Sequence, residues 1–172
     1  MIAGVQLHLQ THKHHTVPEL VVLAAQAAAG GIDQVWVTDN LENRDVFVVL
    51  AAIASKVPVR LGTGVIVQYF HSPIDAASSA AFVAEMMDGR ELSIGIARDN
   101  QRTPNQANSP RPVSMLQETA MSMNTLLAGE VMAIDEFPTV RNYFNLPQAG
   151  TYRLDMEPPL NIRLYCGGNA PL

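Results

Sequence analysis

Val59 to Val67 reads VRLGTGVIV, a run that is apolar apart from Arg60 and Thr63 and that carries glycines at positions 62 and 64. Apolar residues fall on both faces, and Pro58 and the loop QYFH bound the run. This predicts a strand buried on both sides, as in a parallel sheet with helices over one face and core or a barrel interior behind the other. Glycine inside a strand loses chain entropy and packs nothing. Gly62 and Gly64 therefore imply a bulge or a close backbone approach by a ligand, with room for internal packing as the other reading.

The same scheme repeats outward in both directions. Met1 to Leu9 (MIAGVQLHL) reads as a first strand opening onto the polar loop QTHKHH. Thr16-Val17-Pro18-Glu19 has the spacing of a capping box, with proline tolerated in the first turn. It opens a helix through LVVLAAQAAA that stops at Gly30-Gly31, where glycine can take the left-handed conformation that closes a helix. A strand, Asp33 to Thr38 (DQVWVT), precedes the helical stretch RDVFVVLAAIASK, whose apolar positions are 46, 47, 50, 53 and 54; Pro58 ends it. After the Val59 strand, Ser72-Pro73 opens a helix running to Gly89. A fourth strand, Glu91 to Ala97, leads into the loop RDNQRTPNQANSPR and a helix from Pro112 to Ala128. Residues 129–158 read as a long irregular insertion, and Asn161 to Cys166 (NIRLYC) as a fifth strand.

The order is thus β-α-β-α-β-α-β-α-insert-β in a single domain over residues 1–172, with strand starts roughly 30 residues apart, as parallel crossovers require. Such an α/β chain is either doubly wound or barrel-closed. No G-x-G-x-x-G follows the first strand, and the G-x-G at Gly62 to Gly64 lies inside a strand, which argues against the dinucleotide-binding doubly wound fold. A closed (β/α)8 TIM barrel takes about 250 residues. Four β-α units and a fifth strand are the first half of one, so the parallel strands expected here leave two sheet edges for another chain, a second copy or a missing C-terminal half to cover.

Composition narrows the function. Of the 172 residues 48% are hydrophobic, ample for a core, and 16% are charged, with a formal net charge of -5. No basic stripe faces a phosphate backbone, so no nucleic-acid partner is expected. The single cysteine, Cys166, excludes an internal disulfide and a Cys-rich zinc site and suits a reducing, cytoplasmic compartment. No stretch of about 18 uninterrupted apolar residues and no basic-then-apolar leader is present, so neither a membrane span nor a signal peptide is expected.

From Asp33 to about Asn100 the chain resembles the luciferase-like monooxygenase superfamily of flavin- and deazaflavin-dependent oxidoreductases, closest in pattern to its methylenetetrahydromethanopterin reductase branch. The segments that carry the likeness are DQVWVTDN (33–40), RDVFVVLAAIAS (44–55), RLGTGVIVQYFHSP (60–73) and MMDGRELSIGIAR (86–98), with looser agreement over 112–130 and 161–168. The resemblance implies the N-terminal half of a bacterial-luciferase-like TIM barrel that binds FMN or the deazaflavin coenzyme F-420. It also implies a non-proline cis peptide at Gly64-Val65 bulging against the cofactor ring. By the same resemblance Arg98 holds a flavin phosphate, as a guanidinium can do with two parallel hydrogen bonds. The implied cofactor-binding set is Asp39, Thr63, Gly64, Val65, Ala97 and Arg98.

Three positions depart from the pattern. Gln6 stands where the reductases tend to have a carboxylate, Asn40 where many members have histidine, and Asn100 ends a segment reading Arg98-Asp99-Asn100 in place of a glycine and an acid. Gln6, Asn40 and Asn100 are the candidate catalytic positions, but an amide binds and orients rather than carrying a proton.

Other features have plainer readings. His8, His12, His14 and His15 cluster after the first strand without a carboxylate or cysteine beside them, so no metal site is expected. His71 is either a group near the cofactor or substrate or a solvent-facing residue at a helix start. Tyr69 and Phe70 either cover a ring or plug the barrel. Met86, Met87, Met115, Met121, Met123 and Met132 read as core packing, and Cys166 as a small buried residue.

The expected function is a flavin- or deazaflavin-dependent oxidoreductase acting on a small organic substrate by hydride transfer or oxygen activation. The competing reading is a non-catalytic flavin-binding scaffold, or a half-barrel fragment that needs a partner chain. A homo-oligomer or a second chain supplying the remaining strands is expected in either case.

Overall fold

The computed structural model describes residues 6–9, 15–39, 44–98, 111–156 and 160–167, with the backbone alone over 6–9. Strands β1 (Gln6–Leu9), β2 (Gln34–Val37), β3 (Arg60–Val67) and β4 (Leu92–Ala97) alternate with helices α1 (Val17–Ala29), α2 (Val46–Ala54), α3 (Pro73–Glu85) and α4 (Pro112–Leu127). A small unit follows: β5 (Met132–Ala133), a 3-10 turn (Ile134–Glu136), α5 (Pro138–Tyr143) and β6 (Thr151–Tyr152). The last strand, β7 (Ile162–Gly167), returns to the main sheet.

Local chemistry starts the helices where the sequence places them. Thr16 and Glu19 form the reciprocal capping box: the Thr16 backbone N–H donates to Glu19 Oε2 at 2.6 Å, and the Glu19 N–H donates to Thr16 Oγ1 at 3.4 Å. Asp45 Oδ1 accepts from the Val48 N–H at 2.9 Å, and Ser72 Oγ accepts from the Asp75 N–H at 3.2 Å, so α2 and α3 each begin on a side-chain cap. At the end of α1 Gly30 closes the helix at φ -79°, and Gly31, the second of the expected pair, is the left-handed residue at φ 87°.

The five long strands pair in parallel in the order β1-β2-β3-β4-β7, which is their order along the chain. Each helix packs on the next, α1 on α2, α2 on α3 and α3 on α4, so all four cover the same side of the sheet. A doubly wound sheet needs a reversal of strand order and helices on both faces. Neither is found among the described residues, and the progressive order is the one expected of part of a β/α barrel.

Alternation along the strands separates the two faces. Val35, Val37, Leu61, Leu92, Ile94 and Ile96 are buried beneath the helices in one core with Leu20, Leu50, Ile53 and Met115. The opposite face sets Trp36, Gly62, Ser93 and Arg163 in one row. A Cβ on Gly62 would lie 2.7 Å from Trp36 Cε3 and 3.0 Å from the Ser93 carbonyl oxygen. Gly62 therefore makes room for the Trp36 ring, which is the internal-packing reading of that glycine. Nearer the N-terminal ends of the strands the same face is polar. Gln34 Nε2 donates to Ser93 Oγ at 2.9 Å, Ser93 Oγ to Glu91 Oε1 at 3.3 Å, and Arg163 Nε pairs with Glu91 Oε2 at 2.8 Å.

Three expectations need correction. Residues 129–158 are not irregular throughout: β5 and β6 pair antiparallel, and Glu118 Oε2 on α4 accepts from the N–H groups of Thr139 (2.7 Å) and Val140 (3.0 Å), holding the start of α5. Cys166 is exposed rather than buried, because β7 pairs only with β4 and its other side has no neighbour among the described residues. Met87, Met115, Met123 and Met132 are core, but Met86 and Met121 are 41% and 62% exposed, having fallen on the outer faces of their helices. No helix among the described residues is long and apolar enough to cross a membrane.

Candidate functional site

The C-terminal ends of β2, β3 and β4 lie side by side, the end at which β/α barrels gather their ligands. Strand β3 departs from regular pairing here: Thr63 pairs with Ile94 and Ile66 with Ile96, so an extra residue is taken up between them. The bulge is Gly64-Val65, and the peptide bond joining them is cis. Both residues are half-buried, forming a small apolar ledge on the sheet.

Two residues beneath hold the ledge. Thr63 is fully buried, and its hydroxyl both donates to the Gly95 carbonyl oxygen (3.1 Å) and accepts from the Gly95 N–H (2.9 Å). This supplies the ladder bonds that the bulge interrupts. Gly95 in turn must lack a side chain, since a Cβ there would sit 2.8 Å from the Thr63 carbonyl oxygen and 2.8 Å from Val65 Cγ1. The Val65 side chain occupies the space that glycine leaves. Gly95 was not singled out from the sequence; a mid-strand glycine in LSIGIA, beside a strand that itself carries two, was the signal available.

Asp39, two residues past β2, ties this ledge to the neighbouring loops. Its backbone N–H donates to the Val65 carbonyl oxygen at 3.4 Å, while its Oδ2 accepts from the Val67 N–H at 3.1 Å. The same Oδ2 lies 3.0 Å from His71 Nε2, and the side chains of Asp39 and His71 are only 5% and 14% exposed. His71 is thus not solvent-facing. Its ring meets Phe47 edge-on at 5.7 Å, and Nδ1 is 4.0 Å from Asp75 Oδ2. The hydrogen bond to Asp39 raises the imidazole pKa above its ordinary value, against the opposing effect of burial and with help from the charges of Asp39, Asp45 and Asp75.

The rim continues through β4. Ala97 is half-buried, its carbonyl oxygen accepts from the Gln68 N–H at 3.2 Å, and Arg98 is exposed beyond it. Gln68 Nε2 donates to the Pro112 carbonyl oxygen at 3.1 Å, fastening the loop after β3 to the start of α4. The unit inserted after α4 reaches the same loop: Tyr143 Oη donates to the Tyr69 carbonyl oxygen at 3.3 Å, with the two rings 5.1 Å apart. Desolvation, with a lesser contribution from Tyr69, raises the Tyr143 phenol pKa and keeps it a donor. Tyr69 is buried under that contact, and Phe70 is half-buried.

The structure therefore brings together Asp39, Thr63, Gly64, Val65, Ala97 and Arg98, with His71 joined to Asp39. It does not bring Gln6 to them. Gln6 is in register with Gln34, three rows before the Leu9–Val37–Thr63 row, or about 10 Å along the strand toward its N-terminal end. Asn40 and Asn100 lie outside the described residues, as do His12 and His14. No group of three or more His, Cys, Asp or Glu is placed to hold a metal among the described residues.

Known proteins share this sequence pattern and fold. A profile of the luciferase-like monooxygenase family matches residues 2–171. The 5,10-methylenetetrahydromethanopterin reductase of Methanolobus tindarius is 31% identical over 115 residues, which are 65% of this chain and 35% of that protein. The coenzyme F-420 dependent tetrahydromethanopterin reductase of Methanopyrus kandleri superposes with a TM-score of 0.65 at 20% identity, over 73% of this chain and 40% of that one. A type II Baeyer-Villiger monooxygenase of Pseudomonas putida, solved with FMN, superposes with a TM-score of 0.61 at 15% identity, over 76% and 41% of the two chains. The chain spans about a third of the length of the curated relatives it matches. With the profile running over nearly every residue, the chain belongs to the luciferase-like monooxygenase family.

Proposed function

We propose that this chain forms the N-terminal wall of a flavin- or deazaflavin-dependent oxidoreductase, with FMN or coenzyme F-420 lying against the Gly64-Val65 ledge. The observation that carries this reading is the convergence of that ledge with Asp39 and Arg98 at one end of the sheet. An apolar, side-chain-poor shelf beside an exposed guanidinium suits a planar conjugated ring with an anionic tail. The residues present thus fit one side of such a site.

When bound, a flavin or deazaflavin supplies hydride transfer, and a reduced flavin can also activate oxygen. The chain's own part is positional. Val65 backs the ring, Thr63 and Gly95 hold Val65 in place from below, Ala97 keeps the rim narrow, and Arg98 takes the phosphate. Asp39 fixes the height of the ledge through Val65 and Val67. Gln6 is too far along its strand to contribute. A small organic substrate would enter from the opposite side, and the unit carrying Tyr143 borders that approach.

Among the described residues β1 and β7 are the edges of the sheet, which favours completion of the barrel by further strands. A non-catalytic flavin-binding scaffold is the second reading, favoured by amides at the proton-transfer positions Asn40 and Asn100.

Arg98→Ala separates phosphate anchoring from ring stacking. Fluorescence titration with FMN and with riboflavin, which has the ring but no phosphate, should show FMN affinity falling roughly tenfold and riboflavin affinity unchanged. Equal losses for both would remove Arg98 from the phosphate site, and no binding of FMN, riboflavin or coenzyme F-420 by the unmodified chain would overturn the proposed function.

A further inference from the structure

The Asp39–His71 pair has no part in the ring and phosphate contacts, yet it is the best-enclosed ionisable pair at the rim. Asp39 Oδ2 accepts from two donors at once, the Val67 N–H and His71 Nε2, while the Asp39 N–H donates to Val65. These bonds hold the bulge at Val65 and the strand two residues after it at Val67, so a shift of the Asp39 carboxylate bears on the ledge. A neutral imidazole has a single N–H. If it donates from Nε2 to Asp39, the Nδ1 lone pair is left facing the Asp75 carboxylate at 4.0 Å; the imidazolium faces both carboxylates with a proton.

We propose that His71 is a positioning residue for the Gly64-Val65 ledge: its imidazolium clamps Asp39, and loss of the proton loosens the clamp and the ledge together. The inference rests on the proposed function only for its effect on cofactor binding; the clamp itself is a property of the chain. The groups that act on His71 are Asp39 after β2, Asp45 and the Phe47 ring at the start of α2, and Asp75 on α3. Arg44, next to Asp45 in sequence, acts on Glu19 of α1.

The sign follows from the raised pKa. A histidine whose folded pKa lies above its unfolded value of about 6.5 contributes its full stabilisation below that value. The contribution is lost as the pH rises through the folded value. The clamp is therefore tight in mild acid and slack in mild alkali.

An NMR titration of the whole chain without cofactor tests this. The His71 ring should titrate above about 6.5, and the Val67 amide should shift with the same midpoint. Asp39→Asn should lower the ring midpoint, and His71→Gln should leave the Val67 amide flat across the range. A Val67 amide indifferent to the ring, or a ring midpoint unmoved by Asp39→Asn, would overturn the clamp. In a parallel FMN titration, affinity should fall about fivefold between about pH 6 and pH 8.5 in the unmodified chain and stay level in His71→Gln. The same profile in both proteins would overturn the link to the ledge. Val67 coupled to His71 with neither FMN nor coenzyme F-420 bound at any pH would uphold the clamp and overturn the proposed function instead.

Discussion

Replacing Gly95 with valine is expected to destabilise the chain by about 3 kcal/mol and to displace the Gly64-Val65 ledge. The physical reason is specific to this position. A Cβ alone would stand 2.8 Å from the Thr63 carbonyl oxygen, a backbone atom that can move only if β3 moves, and 2.8 Å from Val65 Cγ1. The branched methyls of valine then have nowhere to go, and the pair of bonds between Thr63 Oγ1 and the Gly95 backbone must lengthen. Urea denaturation measures the loss. Gly30→Ala serves as the reference, since a Cβ there meets only the carbonyl oxygens of Ala27 and Gln26 at 3.4 Å, and φ is -79°. That change should stay within about 0.5 kcal/mol. A Gly95→Val midpoint as little altered as that of Gly30→Ala would mean that β3 is free to retreat, and the account of the ledge as a fixed surface would fail.

Arg90→Ala should cost a comparable amount, about 3 kcal/mol, through a different mechanism. The half-buried guanidinium donates to four backbone carbonyl oxygens: Met87 from Nε at 2.7 Å, Val57 and Val59 from Nη1 at 2.8 and 2.9 Å, and Ala54 from Nη2 at 3.4 Å. It joins the end of α2, the turn into β3 and the end of α3, adding a second donor to the Met87 and Val57 carbonyls, which also accept from the Arg90 and Val59 N–H groups. Alanine leaves these acceptors to water that reaches them poorly. Arg90→Lys should recover only part of the loss, because one ammonium cannot reproduce the planar fork. Denaturation of the two variants checks both statements; an Arg90→Ala chain as stable as the parent would show that solvent satisfies those carbonyls.

What could be read from the chain beforehand follows the range of the interactions. The capping box at Thr16 and Glu19, the helix start at Ser72-Pro73 and the apolar strands are set by residues a few positions apart, and the structure has them where the sequence places them, while the cap at Asp45 came only with the structure. Gly62 and Gly64 were legible as special, though only pairing with β4 shows that Gly62 yields to Trp36 while Gly64 belongs to a bulge. The Asp39–His71 pair joins residues 32 positions apart, and nothing in either local segment points to the other. Likewise β5 and β6 are two residues each, too short for any periodicity, and depend on α5 being held by Glu118 from α4. Cys166 was misread because burial of a strand requires neighbours on both sides, a property of the sheet rather than of NIRLYC.

The central claim, that the ledge and its rim are the wall of a flavin or deazaflavin site, is tested most directly by native mass spectrometry of the whole chain with FMN and coenzyme F-420 offered in turn. The account predicts ions heavier than the 18.7 kDa chain, or than its oligomer, by one cofactor per site, and their loss on Gly95→Val. A spectrum holding only the bare chain, whatever its oligomeric state and whichever cofactor is offered, would contradict it.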